Sequence, residues 1–122
     1  MSGTERVCGV EDLETDTALR VIVGGTPVAV VKDANGDIFA IGDTCTHGDI
    51  SLAEGFVEDA PSAGKADGPS LECWAHGSKF SLTSGRPLTL PAYQPVPVFR
   101  VTVEGGDVLV DPTPVPASEL PA

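Results

Sequence analysis

The segments Cys45-Thr46-His47-Gly48 and Cys73-Trp74-Ala75-His76-Gly77 contain both histidines of this 122-residue chain and two of its three cysteines. Each segment pairs one cysteine with one histidine, and a glycine follows each pair directly. A glycine in that place lets the backbone turn tightly beside a bulky centre. Each segment also follows a predicted β-strand, so the two loops can converge at one end of a β-rich fold.

The four candidate metal ligands are Cys45, His47, Cys73 and His76. Common zinc sites of the Cys₂His₂ type place the two cysteines together and the two histidines together. Here each loop contributes one cysteine and one histidine. A 2Fe–2S cluster with two cysteines on one iron and two histidines on the other needs that distribution. The spacing therefore favours an iron–sulfur cluster, and a zinc-stabilised interaction module or a site without metal remains as the alternative.

Short apolar runs between turn signals indicate an all-β fold. Alternation after Leu19 is typical of a half-buried strand, and the β-branched run 28–31 is typical of a central strand. Asn35-Gly36 predicts a hairpin. A short helical turn is expected near residues 11–13. The predicted strands cover residues 19–23, 28–31, 38–41, 96–103 and 108–110.

The length of the chain fits one domain, which we assign to residues 5–111. Residues 58–70 are rich in alanine, glycine, proline and serine, which predicts an inserted surface loop. The flanking residues 55–58 and 71–72 are predicted to pair as strands. Residues 112–122 are rich in proline, which predicts an extended, disordered tail.

The charge balance limits the partners that the chain can bind. Eighteen acidic residues against seven basic ones give a formal net charge of −11, which disfavours nucleic acid and favours a protein partner with a basic surface, unless the charge serves solubility alone. Residues 1–6 contain no apolar region typical of a secretory signal, and no run is long enough for a membrane span. We therefore expect a cytoplasmic protein. Cys8 lies far from the motif and is expected to pack as a small apolar residue.

The two quoted segments, extended to Gly77-Ser78-Lys79-Phe80, resemble the Rieske signature C-x-H…C-x-x-H. The likeness runs from about Val7 to Val110 and includes Leu90-Pro91-Ala92, which is similar to the proline-containing loop that covers the cluster in that family. The resemblance implies an antiparallel β-sandwich with a small cluster-binding subdomain and one 2Fe–2S cluster.

Within that family, the resemblance implies a role for each ligand. Cys45 and Cys73 would bind the inner iron, and His47 and His76 would bind the outer iron through Nδ1. The segment between the two pairs is several residues longer than is usual in the family, and the excess falls in the predicted loop.

Features that the chain lacks narrow the subfamily. It has neither the N-terminal membrane helix nor the additional loop cysteines of cytochrome bc Rieske proteins. It is more similar to the soluble ferredoxins of bacterial ring-hydroxylating oxygenases, and to small Rieske proteins associated with iron–sulfur assembly systems. A Rieske oxygenase would need a second iron site with two further histidines.

The resemblance therefore implies an electron carrier without its own catalytic site, expected to be a monomer. It would take one electron from a flavin reductase and pass it to a terminal acceptor, most simply a non-haem iron oxygenase. A Rieske redox sensor or an assembly-associated protein is the alternative.

Three further residues near the ligands have roles implied by family position. Ser78 can donate a hydrogen bond to a bridging sulfide. Phe80 stands where high-potential members carry a tyrosine hydroxyl. Trp74 either shields the cluster, meets a partner or packs against the protein.

The missing loop disulfide and the missing hydroxyl at Phe80 predict a low reduction potential. We expect a midpoint of about −150 to −50 mV, near the low end of the Rieske range. Redox titration of the purified protein at neutral pH measures it. A midpoint above about +150 mV would contradict the prediction.

Overall fold

The structure is a computed structural model, and it describes residues 4–33, 36–44, 51–58, 69–74, 79–82, 85 and 96–116. In these ranges the chain forms nine β-strands and two short 3-10 helices, Val10–Asp12 and Leu52–Glu54. No helix in the described ranges is long and apolar enough to cross a membrane. The strands are β1 (Glu5–Gly9), β2 (Thr17–Val23), β3 (Thr26–Lys32), β4 (Ile38–Gly42), β5 (Phe56–Glu58), β6 (Ser70–Glu72), β7 (Lys79–Ser81), β8 (Val98–Glu104) and β9 (Asp107–Pro114).

The strands form two antiparallel sheets. The large sheet has the order β1-β9-β8-β4-β3-β2, and the small sheet has the order β5-β6-β7. The expected antiparallel all-β architecture is confirmed. The predicted helical turn near residues 11–13 is the first 3-10 helix, one residue earlier.

The β-branched run of β3 is buried on both faces, as its continuous apolar character predicts. Val28 and Val30 face one group of buried residues, and Ala29 and Val31 face another. We call the first group the large-sheet core. It comprises Cys8, Leu13, Val23, Val28, Val30, Ala40, Phe99, Val108 and Val110.

The second group joins the two sheets, and we call it the inter-sheet core. The large sheet contributes residues such as Ile41, and the small sheet contributes Leu71 and Phe80. Burying these side chains holds the small sheet against the large one. The members are Ala29, Val31, Ile41, Leu52, Leu71, Cys73, Phe80, Leu82, Val96 and Val98.

The proline-rich end of the chain begins as a strand, so the predicted tail boundary at residue 112 is wrong. β9 continues to Pro114, which pairs with Phe99. Val115 then donates its N–H to the carbonyl of Val98 at 2.7 Å. Pairing of β9 with β1 stops at Val110. Beyond that point β8 is the one strand of the described residues that pairs with β9, and an edge strand of that kind tolerates prolines. Residues 117–122 lie outside the described residues.

The predicted surface loop 58–70 is bounded by paired strand residues. Glu58 lies opposite Ser70 in the β5–β6 pair, so both boundary residues belong to the sheet. The antiparallel pairing of residues 56–58 with 70–72 agrees with the sequence prediction. Residues 59–68, which make up the rest of the predicted loop, lie outside the described residues.

A close backbone approach joins the second 3-10 helix to the small sheet. Gly55 ends this helix and donates its N–H to the carbonyl of Leu52 at 2.9 Å. Its α-carbon lies directly against the backbone carbonyl of Glu72, the last residue of β6. A Cβ atom at Gly55 would collide with that carbonyl oxygen. The contact fixes the chain just before Cys73.

Replacing Gly55 with alanine should therefore destabilise the protein and disturb the segment that begins at Cys73. We expect Gly55→Ala to lower the free energy of unfolding by about 2 to 4 kcal/mol. Thermal unfolding and iron content per chain measure the two effects.

Gly9→Ala is the matched control. Gly9 and Gly55 have similar φ angles, −86° and −89°. The nearest atom to a Cβ at Gly9 is the movable carboxylate of Asp12. The control should change stability by less than about 1 kcal/mol. Equal effects of the two substitutions would show that the close approach of Gly55 to Glu72 does not cause the loss of stability.

Candidate metal centre

Cys73 is the candidate ligand that the structure describes. It directly follows β6, has no exposed surface and belongs to the inter-sheet core. Its thiol takes part in no disulfide bond. The other three candidates, Cys45, His47 and His76, lie outside the described residues. For these three residues, the structure describes the two ends of the segments in which they lie.

The ends of the segment 45–50 are joined to each other. Thr44 and Ser51 form an isolated antiparallel bridge. The N–H of Leu52 donates to the carbonyl of Asp43 at 2.6 Å. The chain therefore leaves β4, passes through the segment with Cys45 and His47, and returns to its starting point.

The Asp43 carboxylate strengthens this closure. Its Oδ2 accepts a hydrogen bond from Ser51 Oγ at 2.7 Å, and its Oδ1 accepts one from the N–H of Ala53 at 2.9 Å. Oδ2 also faces Arg20 Nε at 3.2 Å. Asp43 is only 2% exposed, whereas the side chain of Arg20 is 53% exposed. Each carboxylate oxygen thus has a donor, which a buried charge requires.

Strands β6 and β7 pair antiparallel, and Cys73 begins the stretch of chain between them. Glu72 pairs with Lys79 next to this stretch, and Leu71 pairs with Phe80 one step further in. Gly55 lies against Glu72, as described above. The return of the first segment and the start of the second are therefore adjacent.

A third segment has its ends joined in the same region. Gly85 donates its N–H to the carbonyl of Ser81 at 2.8 Å, and its own carbonyl accepts the N–H of Val96 at 2.9 Å. Gly85 has a φ of 74°, a conformation that glycine adopts without strain. Between these ends lies Leu90-Pro91-Ala92, the predicted third loop, which is outside the described residues. Val96 belongs to the inter-sheet core with Cys73.

The surroundings of Cys73 suit a metal thiolate. Leu71 and Phe80 belong to the same buried apolar core. Thiolates are the protein ligands that hold iron–sulfur clusters, and Cys73 lies in this apolar environment next to the first segment. Phe80 is completely buried and provides no hydroxyl, as the sequence indicates. A donor set of two thiolates and two imidazoles fits a Rieske cluster.

Cys8 differs from Cys73 in its surroundings. It is 6% exposed within the large-sheet core, so its predicted packing as an apolar residue is confirmed. Burial raises the pKa of its thiol, with a further contribution from Asp12.

Two large apolar side chains are exposed beside the small sheet. Trp74 is 50% exposed and follows Cys73 in the chain. Phe56 is 61% exposed and lies opposite Glu72 on the sheet face that points away from Leu71 and Phe80. Of the three roles considered for Trp74, packing within the protein is the one that this exposure disfavours.

Sequence reasoning missed Phe56, Asp43 and Arg20 as residues of this region. Asp43 stands two residues before the first motif, which is the one local signal that could have indicated it. Its contact with Arg20 joins residues 23 apart in sequence, and no local pattern predicts such a contact.

Comparison with known proteins gives a consistent result. The family model of the Rieske [2Fe-2S] domain matches residues 4–100. The 3-phenylpropionate/cinnamic acid dioxygenase ferredoxin subunit of Escherichia coli K12 is 36% identical over 104 residues, which cover 85% of this chain and 89% of that protein.

Two solved structures are similar in fold as well as sequence. The ferredoxin of carbazole 1,9a-dioxygenase from Nocardioides aromaticivorans IC177 has a TM-score of 0.79 and 30% identity, over 92% of this chain and all of that chain. A ferredoxin in a complex of reduced oxygenase and oxidized ferredoxin of carbazole 1,9a-dioxygenase has a TM-score of 0.76 and 34% identity, over 94% and 98% of the two chains. With its closed loop ends, its buried Cys73 and these matches, the chain belongs to the Rieske [2Fe–2S] family.

Proposed function

We propose that this protein is the ferredoxin of a bacterial ring-hydroxylating oxygenase system. The observation that carries the proposal is the buried Cys73 directly after β6, beside the closed ends of the segment that contains Cys45 and His47. Relatives of similar length are named as dioxygenase ferredoxins, which supports the same role for this chain.

We assign the cluster to Cys45, His47, Cys73 and His76. When bound, the 2Fe–2S cluster supplies a one-electron redox couple. The protein holds the ligand segments at their bases and keeps water from Cys73 through the inter-sheet core.

The proposed role is transfer without catalysis. The chain has two histidines, and both are assigned to the cluster, so none remains for a mononuclear iron site of the two-histidine type. The electron would come from a flavin reductase and go to a non-haem iron oxygenase, in the cytoplasm, with the carrier acting as a monomer. The net charge of −11 suits partners with basic docking surfaces.

The ligand assignment predicts the composition of the purified protein. We expect about two irons and two acid-labile sulfides per chain, and loss of both in Cys73→Ser or Cys45→Ser. Metal analysis, sulfide assay and the visible spectrum measure this. Cys8→Ser is the matched control, because Cys8 is also buried but lies in the other core, and it should keep the cluster. Stoichiometric zinc without sulfide would contradict the assignment.

We further propose that Trp74 and Phe56 contact the electron acceptor. Both are exposed apolar residues beside Glu72 and Cys73, and exposed aromatic residues contribute strongly to docking when a partner covers them.

Phe56→Ala and Trp74→Ala should each lower kcat/KM for ferredoxin by at least about fivefold in the reconstituted oxygenase assay. The visible spectrum should stay unchanged, since neither residue is an assigned ligand. Val103→Ala is the matched control, because Val103 is 51% exposed and lies on β8 beside the β8–β9 turn, away from the site. An equal loss with Val103→Ala, or no loss with the other two variants, would contradict the docking proposal.

A further inference from the structure

Asp43 and Arg20 form a charged pair whose two members have unequal access to water. The Asp43 carboxylate is 2% exposed, whereas the Arg20 side chain is 53% exposed. Solvent therefore screens the positive charge more strongly than the negative one. The pair does not act as a neutral unit toward groups inside the protein.

Asp43 is close to the assigned ligand Cys45 by covalent connection alone. Two residues of fully extended chain span at most about 7 Å, so the Cα atoms of Asp43 and Cys45 are no further apart than that. The hydrogen bonds from Ser51 and Ala53 hold the carboxylate at the base of the same segment. A fixed negative charge therefore lies at the entrance to the ligand segment.

Reduction of a cluster adds one electron and hence one negative charge. A nearby buried carboxylate raises the free energy of the reduced state, and a nearby guanidinium lowers it. Removing either charge should change the reduction equilibrium, and the two changes should have opposite signs. Loss of a purely structural contact gives no reason for opposite signs.

We propose that Asp43 and Arg20 tune the reduction potential of the cluster in opposite directions, with Asp43 lowering it and Arg20 raising it. Asp43 is in addition a positioning residue, because it joins both ends of the segment that contains Cys45. The inference rests on the proposed assignment of Cys45 as a ligand.

The test is a redox titration of the cluster-containing protein and its Asp43→Asn and Arg20→Gln variants. Asparagine has nearly the shape of aspartate and keeps one acceptor oxygen, and glutamine keeps a polar N–H donor at position 20, while both substitutions remove the charge. We expect Asp43→Asn to favour reduction by about three- to tenfold and Arg20→Gln to disfavour it by a similar factor. At 59 mV per tenfold change for one electron, these shifts are about +30 to +60 mV and −30 to −60 mV.

The exposed pair Arg6–Asp107 is the matched control. It joins the same kinds of atom, Nε and Oδ1, at 2.8 Å, with side chains 57% and 46% exposed. Asp107 lies at the β8–β9 turn, and β8 runs from its pairing with Ile41 towards this turn, away from Asp43. Asp107→Asn and Arg6→Gln make the same charge changes and should each shift the equilibrium by less than about 1.3-fold.

Arg20→Gln keeps the inference testable even where Asp43→Asn folds poorly, because the Arg20 side chain is half exposed. Shifts of the same sign in the two variants, or shifts no larger than those of the control pair, would overturn the inference. A wild-type protein that binds no 2Fe–2S cluster would overturn the proposed function along with it. A normal cluster whose reduction potential does not change in Arg20→Gln would overturn this inference and leave the proposed function intact.

Discussion

Leu52, Cys73 and Val96 are buried together in one apolar core with residues of the large sheet. Each of these three residues stands at or next to the end of a segment that the sequence associates with the cluster. Burial of apolar surface is the largest favourable contribution to folding, and close packing leaves such a core little freedom to rearrange. The ends of the three segments are therefore fixed by the same interaction that joins the two sheets. Most of what positions the centre depends on this core.

Polar contacts of Asp43 add directional constraints to the positions that the apolar core fixes. Apolar packing has no preferred direction, so it does not by itself determine how Asp43, Ser51 and Ala53 are placed relative to one another. The Asp43 carboxylate supplies direction, because it accepts hydrogen bonds from Ser51 and Ala53 and contacts Arg20 on β2. Buried carboxylates are stable when each oxygen has a partner, and both oxygens here have one. The first ligand segment is thus held by direction-specific contacts on an apolar base.

Local sequence patterns predicted the parts of the fold that local rules govern. The β-branched run of β3, the antiparallel pairing of β3 with β4 and the strands on either side of the 59–68 segment follow from residue type and spacing. The four ligand assignments came from spacing together with family resemblance, and the structure describes Cys73 among them. The burial of Asp43, one acid among eighteen, depends on a partner 23 residues away. The requirement for glycine at position 55 depends on β6, which local rules do not bring near. The prediction of the tail boundary was wrong for a similar reason, because the pairing of Pro114 with Phe99 is a long-range contact.

The register of the small sheet places the two ends of the segment 59–68 at the end of β6 that is further from Cys73. They leave the sheet after Glu58 and return before Ser70, at one end of β6, while Cys73 follows the other end. Three residue steps of strand separate Ser70 from Cys73, about 10 Å. Lengthening the connection between two paired strand ends costs little free energy, because the entropic penalty of closing it grows only with the logarithm of its length. This part of the chain is therefore the natural place to insert an affinity tag, a spectroscopic label or a fused domain into the carrier.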